Sequence, residues 1–387
     1  MNTAARAALA AGAVAAIIIL ILLLPYWHAA ALILRAGGAG GFIGRAAQRD
    51  ARRVEQQITR ITTSSGEVRA RIFKPSNHPN RAILLVSGVH PDGIDEPRLV
   101  DLANDLAGTG VNVVTPEVPD LVHYRLTARV TDTIEQTAQW LSRQQDLTGS
   151  NRIGMIGVSF SGGLSIVAAG RSGLRDHVSY VLSFGGHGNL PRVLRYYSTG
   201  IEPSIEGETS DRRPPHDYAL AVFLYQAADL AVPADQTASL RRGIDAFLQA
   251  SALARIDQKR ATALMQLNRD FQRQLPEPAA TLLGLVNDRN VSELGSRLLP
   301  YVDQLGQDPA LSPDRSPAPA AAVYLLHGTD DNVIPPAESD LLAEYLRPHT
   351  RVRVLLSSFL THVDLSNHPG AMDTWRMITF WKGALNE

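Results

Sequence analysis

Gly157-Val158-Ser159-Phe160-Ser161-Gly162-Gly163 places a serine between the apolar run Ile153 to Val158 and the small-residue stretch Leu164 to Gly170. The pattern reads as a strand, a tight turn and a helix, with the hydroxyl on the turn. A serine hydroxyl is a poor nucleophile until a base takes its proton, and such a turn exposes it while aiming the following backbone N–H groups at a developing oxyanion. Further along, His327-Gly328-Thr329-Asp330-Asp331-Asn332-Val333-Ile334-Pro335 ends a second apolar run, and Thr361-His362-Val363-Asp364 follows a third. Serine, acid, then histidine, each at a strand end, supply the nucleophile, the orienting acid and the general base of acyl transfer. Ser159, Asp331 and His362 take these three posts, with Asp331 preferred over Asp330 because it stands four residues after His327. Ser161, Asp330 and His187 are the reserves, His187 because Gly185-Gly186-His187-Gly188 also follows a strand end. A helix-capping serine and a surface-loop histidine are the structural alternatives for Ser159 and His362.

The oxyanion needs two donors. The N–H of Phe160 is the first, and that of Val89, in the turn Gly88-Val89-His90-Pro91-Asp92-Gly93 after the apolar run Arg81 to Ser87, is the second. His90 and Asp92 invite a metal, yet no further ligand cluster joins them at workable spacing, so no metal is expected. The glycines at Gly37-Gly38-Ala39-Gly40-Gly41 fail the spacing of a phosphate loop, no strand precedes them, and no cofactor is expected. The absence of cysteine excludes disulfides, thiolate metal sites and a cysteine nucleophile. Lys+Arg at 37 against Asp+Glu at 38 leaves no field to hold nucleic acid.

These residues must be positioned by a sheet. Val54 to Thr63 and Glu67 to Phe73 alternate as a hairpin turned at Ser64-Ser65-Gly66. Beyond it, strand-like and helix-like segments alternate: strands at Arg81 to Ser87, Val111 to Thr115, Ile153 to Val158, Val178 to Phe184, Ala321 to Leu326 and Arg351 to Leu356. Helices are expected at Pro97 to Leu106, Ala128 to Gln145, Ala337 to Leu346 and Thr374 to Leu385. That alternation implies a mostly parallel sheet with right-handed crossovers. The chain divides into a membrane anchor over 1–34, a Gly/Arg-rich tether over 35–53 that is flexible at its glycines and turns into a polar helix, a catalytic core over 54–184 and 318–387, and a helical insertion over 185–317. The insertion, with helix-like runs at Tyr218 to Leu230, Gln236 to Leu248 and Lys259 to Phe271, would lie over the carboxyl ends of the strands as a lid. A bundle packed away from the site is the alternative.

Ala7 to Leu24 is apolar throughout and ends in eight consecutive Ile and Leu residues, Ile17 to Leu24, enough to span a bilayer as a single-pass anchor. A cleaved signal peptide is the rival reading. Arginines 35, 45, 49, 52 and 53 outnumber Arg6, which leans towards a cytoplasmic body, whereas a short N-terminal tail leans the other way.

The combination Gly157 to Gly163, His327 to Pro335 and His362 resembles the serine-type branch of the α/β-hydrolase superfamily: esterases, lipases, peptidases and thioesterases. The resemblance covers roughly Val54 to Leu385. It implies an α/β-hydrolase sheet with a helical lid, Ser159 as nucleophile, Asp331 as acid, His362 as base, and Val89 and Phe160 as oxyanion donors. The chain departs from the family at Ser161, where glycine is common, and at Ser87-Gly88, where His-Gly is common. The function implied is a serine hydrolase that cleaves a carboxylic ester, with thioester and amide as variants; the anchor adds a lipid bilayer as partner and suggests a lipid-like substrate, a small-molecule ester being the alternative. An acyltransferase using the same triad and a non-catalytic scaffold of the same fold are the alternatives.

Overall fold

The computed structural model describes residues 22–77, 79–204, 211–254, 256–358, 360 and 370–387. A helix over residues 22–36 (α1) leads into α2 (Gly41–Asp50), then β1 (Val54–Thr63), β2 (Gly66–Pro75), β3 (Ala82–Val86), α3 (Pro97–Gly108) and β4 (Asn112–Pro116). Next come α4 (Pro119–Val122), α5 (Ala128–Ser142), α6 (Gln145–Thr148), β5 (Ile153–Val158), α7 (Phe160–Gly170) and β6 (Val178–Phe184). Seven helices follow: α8 (Leu190–Thr199), α9 (Asp217–Ala231), α10 (Ala234–Leu253), α11 (Gln258–Gln272), α12 (Ala279–Asn287), α13 (Val291–Leu298) and α14 (Val302–Gly306). The chain closes with β7 (Ala322–Gly328), α15 (Ala337–Leu346), β8 (Val352–Ser357) and α16 (Ala371–Leu385).

The eight strands form one sheet in the order β1-β2-β4-β3-β5-β6-β7-β8. β2 pairs antiparallel with β1 and β4, and every later pairing is parallel. The expected mostly parallel sheet flanked by helices is what the chain adopts. Central strands β3, β4 and β7 are buried at every residue, whereas β1 alternates towards solvent. A parallel sheet covered on both faces demands continuous apolar strands, and an edge strand tolerates charge.

The two faces carry separate cores. On one face, α5 and α7 pack beneath the insertion, and Leu220, Phe223, Leu240, Phe247 and Leu283 of its helices share one apolar cluster with Val86, Phe160 and Leu164. The insertion is thus an extension of the core rather than a loosely seated cap, since each such buried side chain stabilises by about 1.5–3 kcal/mol. On the other face, α3 and α16 pack with α1.

That last helix corrects the expected boundaries. Residues 1–21 lie outside the described residues, and among those described no helix is long and apolar enough to cross a membrane. Within α1, Ala29, Leu32 and Ile33 join the core against Leu99, Leu106 and Trp381, so the last turns assigned to the anchor belong to the body. The polar helix expected after the glycines is present as α2, but the flexible segment before it is not: Gly37, Gly38 and Ala39 close a tight turn by donating to Ile33 O, Arg35 O and Leu34 O at 2.9 Å each. The buried Arg35 guanidinium fixes the joint, its Nε donating to Asp105 Oδ1 at 3.0 Å and its Nη1 to Ala47 O at 3.1 Å. Trp27 and His28 both reach Asp50 at 3.0 Å. Glycine content signalled chain freedom, but these long-range polar contacts override it.

Candidate active site

β5 delivers Ser159 to the carboxyl edge of the sheet, where it adopts φ +58° and ψ −134° before α7 begins at Phe160. A positive φ in a residue with a Cβ costs on the order of 1–3 kcal/mol and persists only where its surroundings over-determine it. Here they do: Ser159 N–H donates to Phe184 O and Gly162 N–H donates to Ser159 O, both at 2.8 Å. The turn is so tight that a Cβ on Gly157 would stand 2.2 Å from Ser161 O, and one on Gly163 would stand 2.4 Å from His187 O. Both glycines of the motif are therefore steric requirements. Ser159 itself is 7% exposed.

Ser161 has another task. Fully buried, its Oγ accepts the Val158 N–H at 2.8 Å and has Val158 O at 2.8 Å and Val86 O at 3.0 Å as acceptors for its proton. The departure from glycine at this position ties the turn to β3, and the hydroxyl is committed to backbone.

The loop after β3 lies directly against the turn: a Cβ on Gly88 would be 3.3 Å from Ser159 Cβ. Val89 is 9% exposed, and its carbonyl oxygen accepts the Tyr218 phenol at 2.7 Å. Phe160 opens α7, and the first N–H groups of a helix have no acceptor within it. The candidate donors thus flank the serine from two elements. His90 bends over the same loop, with Asp92 N–H donating to its Nδ1 at 3.2 Å, and burial holds its pKa below the ordinary histidine value. Among the described residues, no group of three or more acidic or histidine side chains is placed to hold a metal ion.

The two candidate acids separate cleanly. Asp330 is exposed, whereas Asp331 is 1% exposed. Asp331 Oδ1 accepts the N–H groups of Val333 at 2.8 Å and Ile334 at 3.0 Å, and its Oδ2 lies 3.3 Å from His327 Nε2. His327, fully buried, donates through Nε2 to Ile334 O at 2.9 Å, and its Nδ1 is 2.7 Å from Ser339 Oγ. The histidine and the carboxylate together pin the loop after β7. Backbone N–H bonds to a carboxylate favour its charged form. From above, the insertion grips the adjacent residue: His216 N–H and the Tyr196 phenol both donate to Asn332 O, at 2.9 and 3.2 Å.

His362 lies in residues 361–369, outside the described residues; β8 ends at Ser357, one strand beyond the acid loop. His187 is buried, with Nε2 donating to Leu311 O at 2.8 Å and its ring 5.1 Å from that of Phe160. That donor fixes its tautomer, and its role here is to pack over Gly163. Sequence reasoning did not single out Tyr218 or give His327 a role. His327 carried a signal, its place four residues before the acid; Tyr218 carried none, because its contact crosses 129 residues of chain.

No protein-family model and no curated protein matches the chain. Among solved structures it is similar to an esterase from Pyrobaculum calidifontis at 15% identity, over 93% of this chain and 90% of that one, with a TM-score of 0.46. It is similar to a thermostable carboxylesterase cloned from a metagenomic library at 15% identity, over 88% of this chain and 93% of that one, with a TM-score of 0.46. An acylaminoacyl peptidase from Pyrococcus horikoshii is similar at 13% identity, over 89% of this chain and 43% of that one, with a TM-score of 0.45. At these identities the activities belong to those proteins, and the chemistry of this chain has to come from its own residues.

Proposed function

We propose that the chain is a serine hydrolase that cleaves a carboxylic ester through an acyl-enzyme, with Ser159 as nucleophile, Asp331 as orienting acid and His362 as general base. The observation that carries this reading is Ser159 held at φ +58° on a strand-to-helix turn. His362 takes the Ser159 proton as Oγ attacks the ester carbonyl, and the N–H groups of Phe160 and Val89 receive the oxyanion. The histidine then protonates the departing alkoxide, and water, deprotonated by the same imidazole, releases the acid. A buried carboxylate held by two backbone N–H groups is suited to stabilise the imidazolium that forms on the way. Thioesters and amides follow the same course with different leaving groups.

The insertion serves as a fixed roof over the site, a reading supported by its contacts to Val89 and Asn332. The apolar run Ala7 to Leu24 tethers the enzyme to a bilayer; Leu22 and Leu23, 64% and 56% exposed, already stand clear of the body. The test is presteady-state hydrolysis of a p-nitrophenyl ester by the full chain. A burst of p-nitrophenol stoichiometric with enzyme, absent in Ser159→Ala, is expected; an undiminished burst in that variant would overturn the assignment.

A further inference from the structure

A cavity of about 500 Å³ lies between α1, α3 and α16, on the sheet face opposite the insertion, with Leu32, Ile33, Leu102, Phe184, Leu326 and Trp381 among its walls. Its volume falls in the range of pockets that bury whole small molecules. Arg98, Asp101 and Asn104 of α3 give it a polar rim. Arg35 and Asp105, paired with each other at 3.0 Å, and Gln48 also line it, and the apolar walls beside these polar groups match a single-chain amphiphile.

Two of the walls lie on strands beside the site, Phe184 at the end of β6 and Leu326 two residues before the end of β7. Phe184 O accepts the Ser159 N–H at 2.8 Å, and Leu326 O accepts the Gly185 N–H at 2.7 Å. The cavity walls thus share backbone hydrogen bonds with the strand ends around the candidate nucleophile.

The other walls lead to exposed apolar surface. Leu24, 45% exposed, stands eight residues before Leu32 on the same helix, about 12 Å away. Trp375, 53% exposed, is six residues before Trp381 on α16, about 9 Å away, and Tyr26 stacks on it with ring centroids 5.4 Å apart. Aromatic rings with one polar end favour the boundary between lipid and water. Helices α1 and α16 therefore run from an apolar, aromatic surface directly into the cavity, and α1 continues the apolar run Ile17 to Leu24.

We propose that this cavity is a binding site for the hydrocarbon chain of a fatty acid or fatty ester, with the polar end at the rim formed by Arg98 and Asp101. The cavity lies on the sheet face opposite the insertion, so the proposal goes beyond the ester-hydrolase reading, and the binding does not require Ser159 to react. Because each methylene taken from water is worth about a fourfold gain in affinity, binding should tighten with chain length until the cavity is full.

The experiment is photo-crosslinking of the full chain, in phosphatidylcholine nanodiscs, with a sixteen-carbon fatty acid carrying a mid-chain diazirine. Adducts are expected on peptides containing Leu32 and Ile33, Leu102 and Trp381, competed by palmitate far better than by hexanoate. Leu102→Trp, which fills the cavity, should lower the adduct yield at least tenfold, and Ser159→Ala should leave it intact. A far-ultraviolet circular dichroism spectrum and cooperative thermal unfolding like the parent's report that Leu102→Trp is folded, and Ile33→Trp stands in if it is not. Adducts confined to Leu22 to Leu24, adducts on α9 or α10 alone, yields indifferent to chain length, or yields unchanged in both tryptophan variants would each overturn the proposal. Because the Ser159→Ala arm reads binding alone, failure of the hydrolase assignment and failure of this site give different results.

Discussion

The Tyr218 phenol donates to the Val89 carbonyl oxygen at 2.7 Å, joining the first turn of α9 to the loop that lies against the Ser159 turn. In the proposed mechanism Tyr218 is a positioning residue: its bond fixes the peptide after Val89 and so the path of the loop that would present the Val89 N–H. Burial pushes its own pKa up, which keeps the phenol a donor throughout the working range. Tyr218→Phe removes the proton and leaves a buried carbonyl without its partner, a loss on the order of 1–3 kcal/mol. The expected result is a kcat about tenfold lower or more on a short p-nitrophenyl ester, with KM changed by less than about threefold. An unchanged kcat would detach the insertion from the oxyanion loop.

Ser161 and Ser159 should respond in opposite ways to the same substitution. Ser161→Ala deprives the Val158 N–H and the elbow of a buried tie to Val86, so it should lower unfolding stability by about 1–3 kcal/mol while sparing most of the activity. Ser159→Ala should abolish activity; by relieving no bond of this kind, it should leave stability within about 1 kcal/mol. Chemical denaturation and ester hydrolysis on both variants settle the roles, and a Ser161→Ala enzyme that is stable but dead would reverse them.

The paired acids provide a third comparison. Asp331→Asn keeps the shape of a carboxylate that accepts two backbone N–H groups but removes the charge that would stabilise an imidazolium. Loss of kcat/KM on the order of 10⁴-fold is the scale for such a change. Asp330→Asn, at an exposed position, should stay within about twofold of the parent. Equal losses at both positions would show that burial does not pick out the acid.

His187 gives the fold a pH dependence of known sign. Its Nε2–H is committed to Leu311 O, its Nδ1 has no hydrogen-bond partner, and burial, the largest influence, lowers its pKa below 6.5. Below pH about 6.5 the unfolded chain takes up a proton that the folded chain refuses, so the unfolded state gains and stability falls as pH falls. The slope approaches on the order of 1 kcal/mol per pH unit until the folded-state pKa is reached. Denaturant unfolding between pH 7.5 and 5 should show this decline, and His187→Gln should flatten it. Equal slopes in the two proteins would assign the decline to other groups.

The sheet was legible because its signals are local. Strands such as Ala82–Val86 and Ile153–Val158 are unbroken apolar runs, and Ser64, Ser65 and Gly66 mark the hairpin turn by type alone. The turn around Ser159 could be read for the same reason: Gly157 and Gly163 are there because no side chain fits. Contacts made across long stretches of chain were not legible. Arg35 reaching Asp105 turned an apparent tether into a fixed helical hairpin, and Tyr218 reaching Val89 gave an unremarked helix residue a place beside the site. Ser161 looked like a spare nucleophile because its hydroxyl was visible in the sequence and the backbone groups that occupy it were not. Composition marked the insertion as helical, yet only packing could make its helices part of the main core.

The central claim is that one hydroxyl, at residue 159, is activated by the imidazole of residue 362. Reaction of the full chain with a fluorophosphonate, followed by peptide mass spectrometry, reads it directly. A single adduct on the peptide carrying Ser159, lost in Ser159→Ala and at least a hundredfold slower to form in His362→Ala, is the predicted result. An adduct on any other serine, or labelling of Ser159 at the parent rate without His362, would contradict the account.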